Sequence, residues 1–364
     1  MYAQIESQVE AIRQLRASKP VAPVLLDSAG VAAWLAKANA EQTNHQALAN
    51  ESRLFVHLGL LPAGSSLEEL ELALQAGQVV GFYDPVSKGL YVLSESGGVG
   101  ALQKITFSHE FTHALQDQNF GLDKLANDTP DQGDRDLART ALPEGDATLL
   151  MTQWSMKYMS LPELLSVVND SGSAAQQKQF NDAPRILRET LTFPYMAGLA
   201  FVQGVYASGG WAAVDRLYAN PPASTSQILH PELYTQGVKP VTVEVPAVHA
   251  SLSGWKLTMQ DTLGEFQLGI WLGGSSGGNP GATDAVTEWG GDRVGLYEGP
   301  NGAWAVVLNT DWRTADGAAA FDTAAGTLVG QLGGPSRTCA DPTKVTVVLA
   351  SEQSLLPLFA PCAG

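Results

Sequence analysis

One stretch constrains this chain more than any other. Between residues 104 and 120 it reads Lys-Ile-Thr-Phe-Ser-His109-Glu110-Phe-Thr-His113-Ala-Leu-Gln-Asp-Gln-Asn-Phe. No Gly or Pro interrupts 103–118, so a helix is unopposed there. On a helix, residues four apart lie about 40° apart around the axis. His109 and His113 therefore present two imidazoles to one point. Glu110 lies about 100° round from His109, at the edge of that point and not on it. Phe107, Phe111 and Leu115 form an apolar stripe on the other side, so one face packs while the other looks onto a site. Two neutral imidazoles, an open position for water and a nearby carboxylate are what hydrolysis at a Zn²⁺ ion requires.

His-Glu-x-x-His also arises by chance, so a third ligand decides the matter. The pattern that continues x-x-Gly-x-x-His is excluded, because positions 116 and 119 hold Gln116 and Asn119. The other common solution is a Glu on a later, returning helix. Downstream the chain reads Leu142-Pro143-Glu144-Gly-Asp-Ala147-Thr. Pro143 suits a first turn or a kink. Ala147, Thr148 and Met151 share the face of Glu144, and small Ala147 lets this helix lie close to the first. Asp146 falls on the opposite face and is not expected to ligate. His109, His113 and Glu144 are thus the expected metal ligands, and Glu110 the catalytic base.

These motifs resemble those of the gluzincin metallopeptidases, the zincins whose third zinc ligand is Glu. The longer runs are similar to a group of bacterial metallopeptidases in that clan: Gly81-Phe-Tyr-Asp-Pro, His-Glu-Phe-Thr-His-Ala-Leu-Gln-Asp-Gln, Glu-Gly-Asp-Ala-Thr and Ser224-Thr-Ser-Gln-Ile-Leu-His230-Pro. The resemblance covers roughly 79–235. It implies a zinc-dependent peptidase acting on a peptide or protein substrate, with a zincin-like fold.

The remaining sequence is consistent with an enzyme in solution. At 364 residues and 45% hydrophobic content the chain can bury the cores of two domains. A net charge of −16 argues against nucleic acid and anionic membrane surfaces as partners. No apolar run reaches the 18 residues of a transmembrane helix. The start, Met-Tyr-Ala-Gln-Ile-Glu-Ser, does not read as a signal peptide; it fits a cytosolic start or a chain without its leader. Of the two cysteines, Cys339 and Cys362, both lie near the end; a disulfide between them is favoured over two free thiols, and with it a secreted or extracytoplasmic location.

Read in order, helices are expected at 3–16, 28–44, 46–61 and 65–75, then a β-hairpin at 79–83 and 90–93. Such an edge can pair with an extended substrate or merely cover the helix. A Gly-rich loop at 94–100 leads into the motif helix, and 119–133 reads as a loop. Helices follow at 131–159, 161–168 and 185–219, the last broken at Gly209-Gly210. His230, in the loop after that helix, and Tyr195 within it are candidate donors to the substrate oxyanion; each also has a plain structural reading. Asp117 stands either behind the metal site or as a solvated helix-end carboxylate. His45 and His57 read as surface or packing residues. The expected architecture is α+β: a mostly helical, zincin-like catalytic domain over 1–235 with a small hairpin sheet, then an α+β domain over 236–364. Within the second, strands are expected at 241–245, 292–297, 303–310 and 344–349, helices at 257–271 and 314–331, and a Gly/Ser-rich loop at 272–281 that lacks a phosphate-loop Lys.

Two rival readings stay open. One is a latent or non-catalytic zinc-binding extracytoplasmic protein whose site is covered. The other is a structural surface protein with a vestigial motif, against which an intact Glu110 counts. Substrate, cleavage preference and oligomeric state are not legible.

Overall fold

The computed structural model describes residues 1–78, 80–94, 100–125, 130–169, 174–273 and 284–360. The chain begins with α1 (Tyr2–Arg13), then β1 (Pro23–Leu26), α2 (Ser28–Gln42), α3 (His45–His57) and α4 (Leu67–Gln78). The hairpin β2 (Gly81–Asp84) and β3 (Gly89–Leu93) leads to α5 (Ala101–Phe120), the motif helix. After α6 (Leu122–Leu125) come α7 (Gly133–Tyr158), α8 (Leu161–Asn169), α9 (Ala174–Asp182) and α10 (Arg185–Ala219). Short helices α11 (Thr225–Leu229) and α12 (Pro231–Thr235) precede β4 (Lys256–Asp261) and α13 (Gly264–Gly273). Then follow β5 (Trp289–Glu298), β6 (Trp304–Trp312), α14 (Ala315–Leu332), β7 (Ser336–Asp341), β8 (Lys344–Ala350) and α15 (Leu356–Phe359).

The architecture is α+β, with two small sheets ordered β1-β3-β2 and β4-β5-β6-β8-β7. The ends of α5 have clear local causes. Gln103 Oε1 accepts the Gly100 N–H at 3.0 Å, and Gly121 closes the helix at φ 75°. Phe107, Phe111 and Leu115 are buried, as their spacing requires. Helix α7 is one continuous helix through Pro143. Its far side is clamped by Asp146, which takes Arg13 Nε at 2.8 Å and the Tyr218 hydroxyl at 2.7 Å. Arg13 also reaches Asp215 at 2.7 Å, so α1, α7 and α10 share one buried network. Asp146 lies about 200° round from Glu144. The clamp thus turns Glu144 toward α5.

Several expectations need correction. The segment holding Pro20 and Pro23 contains β1, which pairs parallel with β3 in the register Pro23↔Leu90 to Leu26↔Leu93. Parallel pairing leaves no turn signature, and Pro is tolerated at a sheet edge. The expected helix over 257–271 is instead β4 followed by α13. The break arises because Asp292 of β5 accepts the Leu263 and Gly264 N–H groups at 2.9 and 2.8 Å, a helix cap supplied from another strand. Residues 241–245 form no strand. Pro240 and Pro246 bracket them, and two of their carbonyls are taken by side chains: Arg293 Nε donates to Val243 at 3.4 Å and Asn309 Nδ2 to Glu244 at 2.8 Å. The loop expected over 119–133 contains α6. The second sheet has five strands, since β7 pairs antiparallel with β8. The expected loop at 94–100 and the Gly/Ser-rich loop fall largely outside the described residues.

The expected boundary at 235/236 separates the two sheets but not the cores. One apolar cluster runs from Ile5 and Phe107 through Leu150 and Phe201 to Trp271, Phe321 and Val347. A second lies on the other face of the larger sheet, where Tyr297, Val307 and Val348 pack on Phe359.

Candidate metal centre

Three side chains converge where α5 meets α7. His109 Nε2 lies 3.2 Å from Glu144 Oε2, His113 Nε2 lies 3.4 Å from the same oxygen, and the two Nε2 atoms are 3.0 Å apart. Among the described residues this is the group of three whose ligand atoms could hold a metal ion, all within 4.8 Å of one another. Both imidazoles are buried. Burial opposes ionisation of Glu144, but His113 and His109 outweigh it and hold the carboxyl well below the usual carboxylate range. Burial likewise opposes a charge on His113, and the Glu144 carboxylate overcomes it, lifting the imidazole to about 9.

The orientation of His113 is set by a residue that sequence reading used only for exclusion. Gln116 donates from Nε2 to the Pro143 carbonyl at 3.0 Å, which fixes its amide and turns Oε1 to His113 Nδ1 at 2.8 Å. In the neutral imidazole that a metal requires, His113 must then donate from Nδ1, which leaves the Nε2 lone pair for the metal. Spacing held the signal, because 116 follows 113 on the next turn of α5. That Pro143 would come to lie beside it was not legible.

Glu110 stands beside the cluster without joining it. Its Oε2 accepts the Tyr83 N–H of β2 at 2.8 Å. Two residues earlier in β2, Gly81 lies so close to α5 and β3 that a Cβ there would sit 2.8 Å from Thr106 and 2.9 Å from the Tyr91 carbonyl. Only glycine fits, and this lets the free edge of β2 run along the motif helix. Asp117 does not back the cluster. It accepts the Tyr83 hydroxyl at 2.7 Å, Lys88 Nζ at 2.9 Å and the Leu122 N–H at 3.1 Å, pinning the hairpin and α6 to α5.

The two candidate oxyanion donors separate. The Tyr195 ring lies 6.1 Å from that of His109, and Glu144 and Glu110 lie near its hydroxyl. The residue is 44% exposed. Desolvation, with Glu144 and Glu110 nearby, raises the phenol above its usual range. The approach depends on α10 touching α7 backbone to backbone: a Cβ on Gly145 would lie 2.2 Å from the Gly198 carbonyl. His230 is not among the converging side chains. Its Nε2 faces Glu265 at 2.7 Å and its Nδ1 faces Glu232 at 3.8 Å. Its helix-end neighbourhood adjoins the Asp134 end of α7, where Thr225 bonds Asp134 at 3.1 Å. From there to Glu144 the helix runs about 15 Å. His230 thus has carboxylate partners of its own and stands outside the three ligand side chains. His57 stacks on Trp304 at 3.8 Å, and His45 pairs with Glu68.

A family model described as "Domain of unknown function (DUF8575)" matches residues 255–354. That span takes in β4 to β8 with α13 and α14, and none of the converging residues. No curated protein matches the chain, and no solved structure matches it.

Proposed function

We propose that this protein is a zinc-dependent peptidase of the gluzincin type, with His109, His113 and Glu144 as metal ligands and a zincin-like catalytic region. The observation that carries the reading is the spacing of the three ligand atoms. Ligands at about 2.0–2.1 Å from a tetrahedral Zn²⁺ lie about 3.3–3.4 Å from one another. The separations here are 3.0, 3.2 and 3.4 Å. Two imidazoles and one carboxylate are the donor set of the hydrolytic zinc sites that keep a fourth position for water. Bound there, Zn²⁺ would lower the pKa of water and polarise a peptide carbonyl.

The chain's own groups supply the rest. Glu110 Oε2 is held by the Tyr83 N–H, so Oε1 is the atom that accepts the proton of the attacking water. The same carboxyl then delivers it to the leaving amine. Tyr195 keeps its proton and donates to the oxygen on which charge develops. The free edge of β2 lies along α5 and offers backbone groups to an extended substrate. Among the described residues no helix is long and apolar enough to cross a membrane. The expected disulfide would place the enzyme outside the cytoplasm; Cys362 lies outside the described residues.

The test is zinc content and peptidase rate on the same preparations. Wild type is expected to carry about one Zn²⁺ per chain. Glu144→Ala should lose most of it. Glu110→Gln should keep the metal and lose on the order of 10²–10⁴-fold in rate. Full activity in Glu110→Gln would end the peptidase reading.

A further inference from the structure

Beside the metal cluster a cavity of about 220 Å³ opens between α5, α6, α7 and the end of β2. His113 and Glu144 border it. Its walls are largely apolar: Pro85, Leu122, Leu125 and Pro143. Three charged side chains of α7 line it, and two of them have settled roles. Glu144 belongs to the cluster, and Asp136 lies 3.3 Å from Arg135. The third is Arg139, whose Nε is buried and meets no acceptor among the described residues. Burial and the neighbouring Arg135 both disfavour its charge, against a smaller pull from Asp136.

An arginine with an uncommitted Nε at an apolar wall is suited to one kind of guest. Its planar fork matches a carboxylate with two parallel hydrogen bonds. Apolar surroundings strengthen that pairing. The chain is otherwise strongly acidic, so a cation whose Nε meets no acceptor among the described residues stands out beside the cluster.

We propose that this cavity is the specificity subsite and that Arg139 receives a substrate carboxylate adjacent to the bond cleaved. The inference rests on the peptidase reading above and names its substrate class: peptides carrying an acidic side chain, or a free C-terminal carboxylate, at the position that enters this cavity.

Matched peptides distinguish the two sources. One set exchanges Glu for Gln at each residue flanking the cleaved bond; the other exchanges a free C-terminus for its amide. Wild type is expected to favour one carboxylate set by about 10–100-fold in kcat/KM, the range of one charge-assisted pair. Arg139→Gln should keep its zinc, with the preference for the carboxylate peptide over its neutral match reduced to within about threefold. Equal discrimination in wild type and Arg139→Gln, or none in wild type, overturns the proposal. Calorimetric binding of N-acetyl-glutamate α-amide and N-acetyl-alanine, against their neutral amides, gives a readout that needs no turnover. Arg139-dependent binding with no peptide cleaved would sustain the subsite while the peptidase reading failed. Binding lost on chelation but unchanged in Arg139→Gln would assign the carboxylate to the metal and overturn the subsite.

Discussion

Gly145→Ala sets two magnitudes against each other. In a helix interior Ala is favoured over Gly by about 0.8–1.0 kcal/mol, so propensity alone would make the variant more stable. Packing gives the opposite sign. The new methyl would lie 2.2 Å from the Gly198 carbonyl oxygen and 2.3 Å from its carbon, against backbone that has no rotamer to change. An ordinary contact needs roughly 3.4 Å, so α7 and α10 must part by about 1 Å. Overpacking of this kind costs typically about 1–3 kcal/mol. The net expectation is a loss of up to about 2 kcal/mol, obtained by setting the packing cost against the gain in propensity. The same movement carries Tyr195 away from Glu144. Misplacement of about 1 Å can cost on the order of 10²-fold in rate. Gly204, on the same α10, is the control: a Cβ there meets nothing within 4 Å, so Gly204→Ala should be neutral or slightly stabilising. Urea unfolding and peptidase rate, measured on both variants, decide the question. A Gly145→Ala protein as stable and active as Gly204→Ala would refute the close-contact argument.

Gln116→Leu should weaken zinc binding by about 10–100-fold, because His113 loses the acceptor that holds its tautomer; a competitive chelator titration measures it. Asp134 gives a pH signature. Burial raises its carboxyl to about 8, against the opposing hydrogen bonds from Thr225. Below the unfolded value near 3.9 both states hold the proton, and between there and about 8 only the unfolded state releases it. The contribution of Asp134 to stability therefore falls as pH rises through that window and levels above it. Asp134→Asn, which keeps the acceptor for Thr225, should show a flatter stability profile from pH 5 to 8 than wild type; parallel profiles would contradict this. Cys339 and Cys362 should be joined, and mass mapping of non-reduced protein that finds two free thiols would exclude it.

The local rules reached far into this molecule, and they stopped at identifiable places. The 3.6-residue period put His109 and His113 on one face of α5 and Phe107, Phe111 and Leu115 on the other, since both faces belong to one continuous helix. The break of α10 at Gly209 and Gly210 was legible because glycine itself is its cause, with Gly210 at φ 62°. The β2–β3 hairpin was marked by its turn residues. Tertiary structure alone decided the rest. The parallel partner of β3, the cap that Asp292 gives α13 and the course of 241–245 beside the second sheet all depend on groups distant in the chain. So does the choice between Tyr195 and His230. Sequence offers both as donors, and the close contact of Gly145 with Gly198, which sets α10 against α7, is what brings Tyr195 near Glu144. Periodicity records which way a side chain leaves its own helix; it carries no information about which distant backbone comes to meet it.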